Sequence, residues 1–414
     1  MRLINLLLSF SYLVTIWAVP LSASEAGPVI VETIAVANET ASVTADVAST
    51  EKSVDEGKQD SLILSKEDGW LDVSGFVDQA YGFIPLVAPI TEPAIGYGGV
   101  VGLVFVDRKE DAAEAGFGRP NLTFIGGMKT ENGTKGAFAA DSRYWLDDHL
   151  QSLAGGLDVS VNLDYYGIGA DSSLENDPQR YNIAANGGFL MGRYRLGSSR
   201  SWLGLGYLRA DTQLEFIRKP DQPESPLLDI DTENKLSGLL PEYTYDSRDS
   251  IFTPNKGFYF TTSAAIFSPE LGGDEEFQRA SVFTMGFWPV ADKVTLSAAA
   301  GALHGSDDTP IYLRPYIQLR GAPAMRYQGE YAGQIEAELR WQFWRRFSAV
   351  AFGGAGTAGN QFAERERTQN INTSGLGFRY EMARKYQLHM GIDAAHGPDG
   401  MAYYLVVGSA WMRP

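Results

Sequence analysis

An arginine in a glycine-bounded loop is the residue whose setting in this chain best suits specific chemistry. Arg320 precedes Gly321, and residues 334–343 then alternate between polar and apolar side chains. Because side chains alternate across a β-strand with a period of two, Glu336 and Glu338 would share one face. A guanidinium can form paired, charge-assisted hydrogen bonds with a carboxylate. We therefore predict an ion pair, with Glu338 as the first partner and Glu336 as the second, that fastens the loop to the strand.

The residues of this predicted fastening, which we call the latch, are Leu319, Arg320, Gly321, Glu336 and Glu338. Gly321 suits it because a residue without Cβ permits a close backbone approach. The simpler alternative is an arginine that remains in solvent, where most arginines lie. The residue types alone leave both interpretations open.

The strand that follows the loop has two chemically different faces. Its apolar face consists of Ile335, Ala337, Leu339, Trp341 and Phe343. Its polar face consists of Gln334, Glu336, Glu338, Arg340 and Gln342. In a soluble sandwich the apolar face would meet a core. In a membrane barrel it would meet lipid, and the polar face would line the lumen.

Composition excludes several classes of function. The chain has 414 residues, a formal net charge of −17 and no cysteine. A nucleic-acid partner would require a basic footprint, so we expect none. Disulfide frameworks and cysteine nucleophiles are excluded. The four histidines lack zinc-site spacing, and no nucleophile, phosphate-binding or dinucleotide motif occurs, so we expect no metal, no cofactor and no enzymatic activity.

The first 69 residues are expected to lie outside the barrel domain. Residues 1–24 are typical of a signal peptide, with Arg2 before an apolar run that is too short for a spanning helix. A membrane helix is the alternative. Residues 25–69 are acidic and poor in large apolar side chains. Such a segment cannot bury enough surface to offset its chain entropy, so we expect it to be disordered in the periplasm.

Alternating segments separated by turns extend from residue 70 to residue 414 and predict an all-β domain. We count sixteen candidate strands, an even number as single-chain bacterial barrels have. Their cores are 95–107, 118–129, 134–146, 151–165, 180–196, 200–216, 236–246, 257–268, 277–289, 293–304, 311–319, 333–343, 346–356, 371–381, 385–395 and 401–411. The prediction is a 16-stranded antiparallel transmembrane β-barrel in which loop 6, the connection after the eleventh strand, folds inward.

Three segments in this order resemble the outer-membrane barrel-assembly and two-partner-secretion superfamily, also called bacterial surface antigen barrels. The first resembles the family's tyrosine-aspartate-x-arginine-aspartate motif and consists of Tyr245, Asp246, Arg248, Asp249, Pro254 and Gly257. The second is the leucine-arginine-glycine loop of the latch. The third resembles the C-terminal signal for barrel assembly and includes Val407, Gly408 and Trp411. The order of all three within an alternating chain makes the resemblance specific.

The chain departs from the family pattern in two ways. Family members usually carry periplasmic polypeptide-transport-associated domains, and the segment 25–69 is too short for one. The family's strand after the loop usually has an aspartate where this chain has Gly354. In the family that aspartate helps to hold the loop arginine. We therefore expect Glu338, or alternatively Glu336, to hold Arg320 alone, with no aspartate.

The resemblance implies an integral protein of the bacterial outer membrane that assists membrane-protein insertion or the translocation of proteins or lipids. It implies contacts with outer-membrane lipid and lipopolysaccharide, with the barrel-assembly machinery during biogenesis, and with client membrane proteins. A passive pore or structural surface barrel is the alternative. The first motif, at residues 245–257, is expected to set a turn and a local ion pair.

Overall fold

The protein is described by a computed structural model over residues 63–65, 67–75, 82–107, 121–168, 174–218, 231–360 and 368–411. The predicted signal peptide and most of the acidic segment lie outside these residues. The described chain forms one antiparallel sheet in which each strand pairs with its sequence neighbours. The strands are β1 Gly82–Ile90, β2 Gly98–Asp107, β3 Asn121–Thr130, β4 Lys135–Trp145, β5 Leu150–Tyr165, β6 Gln179–Arg195, β7 Ser201–Phe216, β8 Asp231–Asp246, β9 Gly257–Phe267, β10 Phe277–Ala291, β11 Val294–Gly305, β12 Tyr331–Trp344, β13 Phe347–Gly359, β14 Gln369–Ala383, β15 Leu388–Gly397 and β16 Gly400–Val407.

The sheet curls into a nearly closed barrel, which confirms the predicted fold class and strand number. Among the described residues, short 3₁₀ helices occur at Pro269–Leu271, Ile311–Leu313 and Arg384–Tyr386. In the part of the chain that the structure describes, no helix has the length and apolar character needed to cross a membrane.

Two strands differ from the prediction: one was missed and one was placed wrongly. The predicted total of sixteen is therefore unchanged. The structure has β1 at Gly82–Ile90, which the pattern missed because Pro85 and Pro89 interrupt it. Proline is tolerated at a sheet edge, and among the strands that the structure describes β1 pairs with β2 alone. The predicted strand 311–319 is instead part of the connection between β11 and β12. Its apolar side chains are buried on both sides, so they do not alternate between lipid and interior.

The outward and inward faces of β12 are those predicted. Ile335, Trp341 and Phe343 are 61%, 54% and 43% exposed, as lipid-facing side chains should be. Glu336 and Glu338 are 5% and 8% exposed, because they point into the barrel. The period-two pattern therefore assigned both faces correctly.

The interior is packed rather than open. Inward side chains of β1 to β10 form one apolar cluster that includes Leu86, Phe124, Leu153 and Ile183. Buried residues from the β11–β12 connection, residues 306–330, belong to the same cluster: Tyr312, Leu313, Tyr316, Ala324 and Met325. On this side of the barrel the connection packs on an apolar wall.

We call the end of the barrel at which β1 begins and β16 ends the lower end. Its connections include very short turns, such as residues 292–293 and 345–346, whereas the connection 306–330 lies at the opposite end. Bacterial barrels have short periplasmic turns and long extracellular loops. The lower end is therefore the periplasmic end.

The segment before β1 contacts the lower end of the barrel. We call residues 63–65 and 67–75 the strap. The strap includes the last residues of the segment expected to be disordered, yet Asp68 accepts hydrogen bonds from Arg346, and Trp70 lies edge-on to Phe347. Cations and aromatic rings of the barrel thus contact the strap, and Val73 of the strap is buried in an apolar cluster with Met382 and Leu388.

Candidate functional site

Arg320 lies at the centre of a buried ionic cluster on the inner wall. Its Nη1 is 2.8 Å from Glu338 Oε2, and its Nε donates to Glu336 Oε1 at 2.5 Å. The side chain of Arg320 is 1% exposed. The two glutamates are two residues apart on β12, so the pleat presents both carboxylates to the same guanidinium.

A third carboxylate, which the sequence did not suggest, completes the set. Asp393 on β15 accepts a hydrogen bond from Arg320 Nη1 at 2.7 Å and is fully buried. The expectation that the glutamates hold Arg320 without an aspartate is therefore wrong. The available signal was the inward position of Asp393 in the alternating pattern of its strand, but sequence spacing cannot show that β15 faces the loop.

Gly354 stands where the family's usual aspartate would be, and its inner side is already occupied. A Cβ at this position would lie 2.9 Å from Leu319 Cδ2 and 2.9 Å from the backbone oxygen of Ile335. Leu319 therefore fills the space that an aspartate side chain would need. A carboxylate for Arg320 is supplied instead by Asp393, two strands along the wall on β15.

The cluster balances its own charges. Arg379 on β14 donates through Nη1 and Nη2 to Asp393 at 2.5 and 2.9 Å. Arg340 lies two residues beyond Glu338 on β12 and donates to the backbone oxygen of Pro254 at 3.1 Å. Three arginines thus accompany the three carboxylates. Buried charges are tolerated when they are paired and hydrogen-bonded in this way.

An aromatic ring supports the guanidinium from the wall. The guanidinium carbon of Arg320 lies 3.5 Å from the ring centroid of Phe352 on β13. This distance is well within the range of a cation–π contact. Arg320 therefore contacts side chains of three strands, β12, β13 and β15.

Backbone contacts bring the latch loop close to the wall. Gly321 has φ of 90°, a conformation that favours glycine, and its N–H donates to Tyr404 Oη at 3.0 Å. A Cβ on Gly397 would lie 2.1 Å from the backbone oxygen of Gly321. Glycine is thus needed on both sides of this contact between the loop and β15.

The first motif forms a local ion pair and a tight turn. Asp246 accepts from Arg248 Nη2 at 2.8 Å, and Asp249 accepts from the backbone N–H of Lys256. Gly257 has φ of 110°, and a Cβ there would lie 2.5 Å from the backbone oxygen of Ser247. The turn geometry explains why Gly257 is glycine.

The rest of the loop that follows this motif, residues 250–256, extends to the opposite wall. Thr253 Oγ1 accepts the backbone N–H of His389 on β15 at 3.2 Å. The backbone oxygen of Phe252 accepts the N–H of Ser409 at 2.7 Å, and the carbonyl of the buried Pro254 accepts the hydrogen bond from Arg340. Tyr245 remains on β8, where its ring lies 6.4 Å from that of Phe258.

The C-terminal residues do not extend β16 to residue 411 as predicted. The strand ends at Val407, and Gly408 has φ of 74°, which turns the chain away from the strand. Trp411 is 6% exposed and packs near Phe287 on β10, with ring centroids 5.9 Å apart. It therefore lies across the lower end of the interior and does not face lipid.

Comparison with known proteins identifies a family domain within the barrel. The model of the Omp85 superfamily domain matches residues 117–318, which include β3 to β11 and the first motif. No curated protein sequence matches the chain.

Three solved barrels are similar to the structure. The structure of BamA from Haemophilus ducreyi lacking POTRA domains 1-3 matches with a TM-score of 0.56 and 11% identity, covering 80% of this chain and 70% of that one. CdiB from Acinetobacter baumannii matches with a TM-score of 0.51 and 10% identity, covering 81% and 66%. CdiB from Escherichia coli matches with 0.52 and 13%, covering 79% and 62%. The chain thus spans about two thirds of the length of these structures.

The resemblance stated from three motifs is confirmed by the domain match and by the shared barrel fold, and the barrel belongs in the bacterial outer membrane. The chain thus carries an Omp85 superfamily domain over residues 117–318, within a barrel of sixteen sequential strands.

Proposed function

We propose that this barrel assists the insertion of membrane proteins, or the translocation of proteins or lipids, across its β1 and β16 edges. One observation carries the proposal. Within the described residues, β1 pairs with β2 alone and β16 pairs with β15 alone. Strand edges with unpaired N–H and C=O groups can accept another strand.

The seam between these edges is weak. A long hydrogen bond crosses the seam, from the N–H of Leu405 on β16 to Thr91 Oγ1, just after β1, at 3.5 Å. Pro85 and Pro89 remove two N–H groups from β1. Gly99 and Gly102, which lack side chains to pack, lie in β2, one strand from the edge.

We also propose that the β11–β12 connection acts as an inward-folded loop 6 and that the latch holds it. The latch joins the connection to β12 and β15, far along the sequence from β1. A firmly held wall at β12 to β15 would leave β1 and β16 as the part of the barrel that separates most easily. The packed interior does not favour free conduction, so a passive pore is the weaker candidate.

The partners that fit this function are outer-membrane lipid and lipopolysaccharide, client membrane proteins, and the barrel-assembly machinery during the chain's own biogenesis. The proposal assigns no enzymatic reaction, cofactor or metal. In the described residues, no group of three or more His, Asp or Glu side chains is placed to hold a metal ion.

The test is a reconstitution with a lockable seam. The chain has no cysteine, so Thr91→Cys and Leu405→Cys introduce a single disulfide pair across the seam. The wild-type barrel in liposomes should accelerate the folding of a second, unfolded barrel. The oxidised double variant should not, and reduction should restore the acceleration. Ion conductance without acceleration, or equal acceleration by the locked form, would reject the proposal.

A further inference from the structure

A cationic and aromatic patch at the lower end of the barrel carries an inference that does not depend on the proposed function. The patch is formed by Trp344, Arg346, Phe347, Tyr380 and Arg384, at the ends of β12 to β15. In the structure it is covered by the strap. The question is whether the strap is a fixed part of the barrel or a ligand of the patch.

Arg346 is the anchor of the contact. It is fully buried, and its Nε and Nη2 donate to the two oxygens of Asp68 at 2.8 and 3.0 Å. Its Nη1 donates to Asp72 Oδ2 at 2.9 Å. Bidentate, charge-assisted bonds between a guanidinium and a carboxylate are among the strong hydrogen bonds in proteins.

The aromatic part of the patch receives one side chain of the strap. The ring of Trp70 lies edge-on to Trp344 and Phe347, with centroids 5.3 and 5.5 Å apart. Edge-on aromatic pairs at these distances are favourable beyond the surface that they bury. Tyr380 adds a hydrogen bond from its hydroxyl to the backbone oxygen of Leu71 at 2.8 Å.

The strands that carry the patch pair with one another without the strap. The β12–β13 ladder closes at Trp344 and Phe347, and the β14–β15 ladder closes at Ala383 and Leu388. The strap adds a backbone bond from the N–H of Val73 to the backbone oxygen of Met382 at 2.9 Å, and the Val73 side chain is buried beside it. The patch therefore also offers an apolar contact and a backbone acceptor to a bound segment.

The strap is likewise a self-contained unit. Leu64 and Leu71 form an antiparallel bridge, and Ser65 N–H donates to the backbone oxygen of Trp70 at 2.9 Å. Gly69 has φ of 71°, as a tight turn requires. The strap is thus a small hairpin that presents two carboxylates and a tryptophan.

We propose that this patch is a peptide-binding site, that the strap occupies it as a removable ligand in the same chain, and that an acidic, tryptophan-containing segment of a partner protein binds there when the strap leaves. Charge and shape complementarity define the partner: two carboxylates spaced as Asp68 and Asp72 are, with a tryptophan between them. The covalent link gives the strap a high effective concentration, so a partner binds well only when the strap has been displaced.

The test uses a fluorescent peptide with the sequence of residues 63–75 and the full chain folded in detergent. The receptor is the triple variant Asp68→Asn/Trp70→Ala/Asp72→Asn, in which the strap can no longer compete. We expect the peptide to bind this variant at least tenfold more tightly than it binds the wild type. Adding Arg346→Gln should abolish most of that gain, and a peptide with both aspartates changed to asparagine should not bind.

Equal binding to the wild type and the triple variant, or no binding to a correctly folded triple variant, would overturn the proposal. A second measurement covers the case in which that variant fails to fold. A spin label at Ile63→Cys, the only cysteine in the chain, reports strap mobility in Arg346→Gln. Release of the strap from a barrel that remains heat-modifiable supports a removable ligand, and an immobile label or loss of the barrel contradicts it.

Discussion

Arg320 and Asp393, 73 residues apart in the sequence, are joined by a 2.7 Å hydrogen bond between Nη1 and Oδ2. This bond connects the β11–β12 connection to β15, whereas the glutamates connect it to β12. Both side chains are almost completely buried. The connection is therefore held at two separate strands of the wall, and its attachment resists shear between them.

Loss of either partner should destabilise the barrel strongly. Arg320→Ala leaves three carboxylates with one guanidinium fewer, and Asp393→Asn leaves Arg320 and Arg379 short of an anion. Breaking a buried pair typically costs about 3–5 kcal/mol. We expect lower urea midpoints, less heat-modifiable folded barrel in the outer membrane, and easier proteolysis of the connection.

The double variant should lose less stability than the sum of the two single variants, because both changes remove the same contact. Asp211→Asn is the matched control, since Asp211 is an exposed carboxylate on β7. Wild-type folding levels and protease resistance in Arg320→Ala would contradict the latch.

Restoring the family's usual aspartate should harm this chain. In Gly354→Asp the new side chain would meet Leu319 and the backbone of Ile335, and it would add a fourth carboxylate to a balanced cluster. Gly354→Ala separates the steric effect from the charge effect. We expect urea midpoints to fall in the order wild type, alanine variant, aspartate variant. An aspartate variant as stable as the wild type would show that Leu319 moves aside freely.

The strap should stay docked across the physiological pH range. The hydrogen bond from Arg346 holds the pKa of Asp68 well below its usual range. Burial raises the pKa of Asp72, but the bonds from Ser74 and Arg346 outweigh it and lower the pKa overall. Because their folded-state pKa values are depressed, the ionised aspartates stabilise docking above the unfolded pKa of about 3.9. This stabilisation is lost as the pH falls further.

A spin label at Ile63→Cys should therefore remain immobile from about pH 8 to about pH 5 and become mobile only below about pH 4. Asp68→Asn should raise label mobility at every pH and weaken the transition. Release near pH 6 to 7 would instead indicate control by a histidine.

Trp411 should contribute to the stability of the folded barrel as well as to any assembly signal. It is buried against Phe287 and the inward residues of β9 to β11. Truncating a buried tryptophan to alanine typically costs about 3–5 kcal/mol. Trp411→Ala should lower the urea midpoint of barrel that has already folded. Trp288→Ala, at an outward-facing site on β10, is the comparison, and an unchanged midpoint for Trp411→Ala would limit its role to assembly.

The alternating pattern was sufficient to predict the fold class and the faces of β12, because residues two apart must share a side in any strand. The same reasoning missed β1, where Pro85 and Pro89 hide the pattern. It also placed a strand at 311–319, where apolar residues are buried in a loop. Periodicity reports which side chains avoid water, and it does not distinguish lipid from a protein interior.

Local spacing along the chain was enough to predict the barrel strands, the loop arginine and two of its three carboxylate partners, because residues two apart in a strand share a face. The folded barrel was needed to show that Asp393 supplies a carboxylate where Gly354 has none, that Trp411 turns inward, and that Arg346 receives Asp68 and Asp72. These contacts join residues from distant strands. Their partners are chosen by the curvature of the closed sheet, which brings together side chains whose separation along the chain carries no signal.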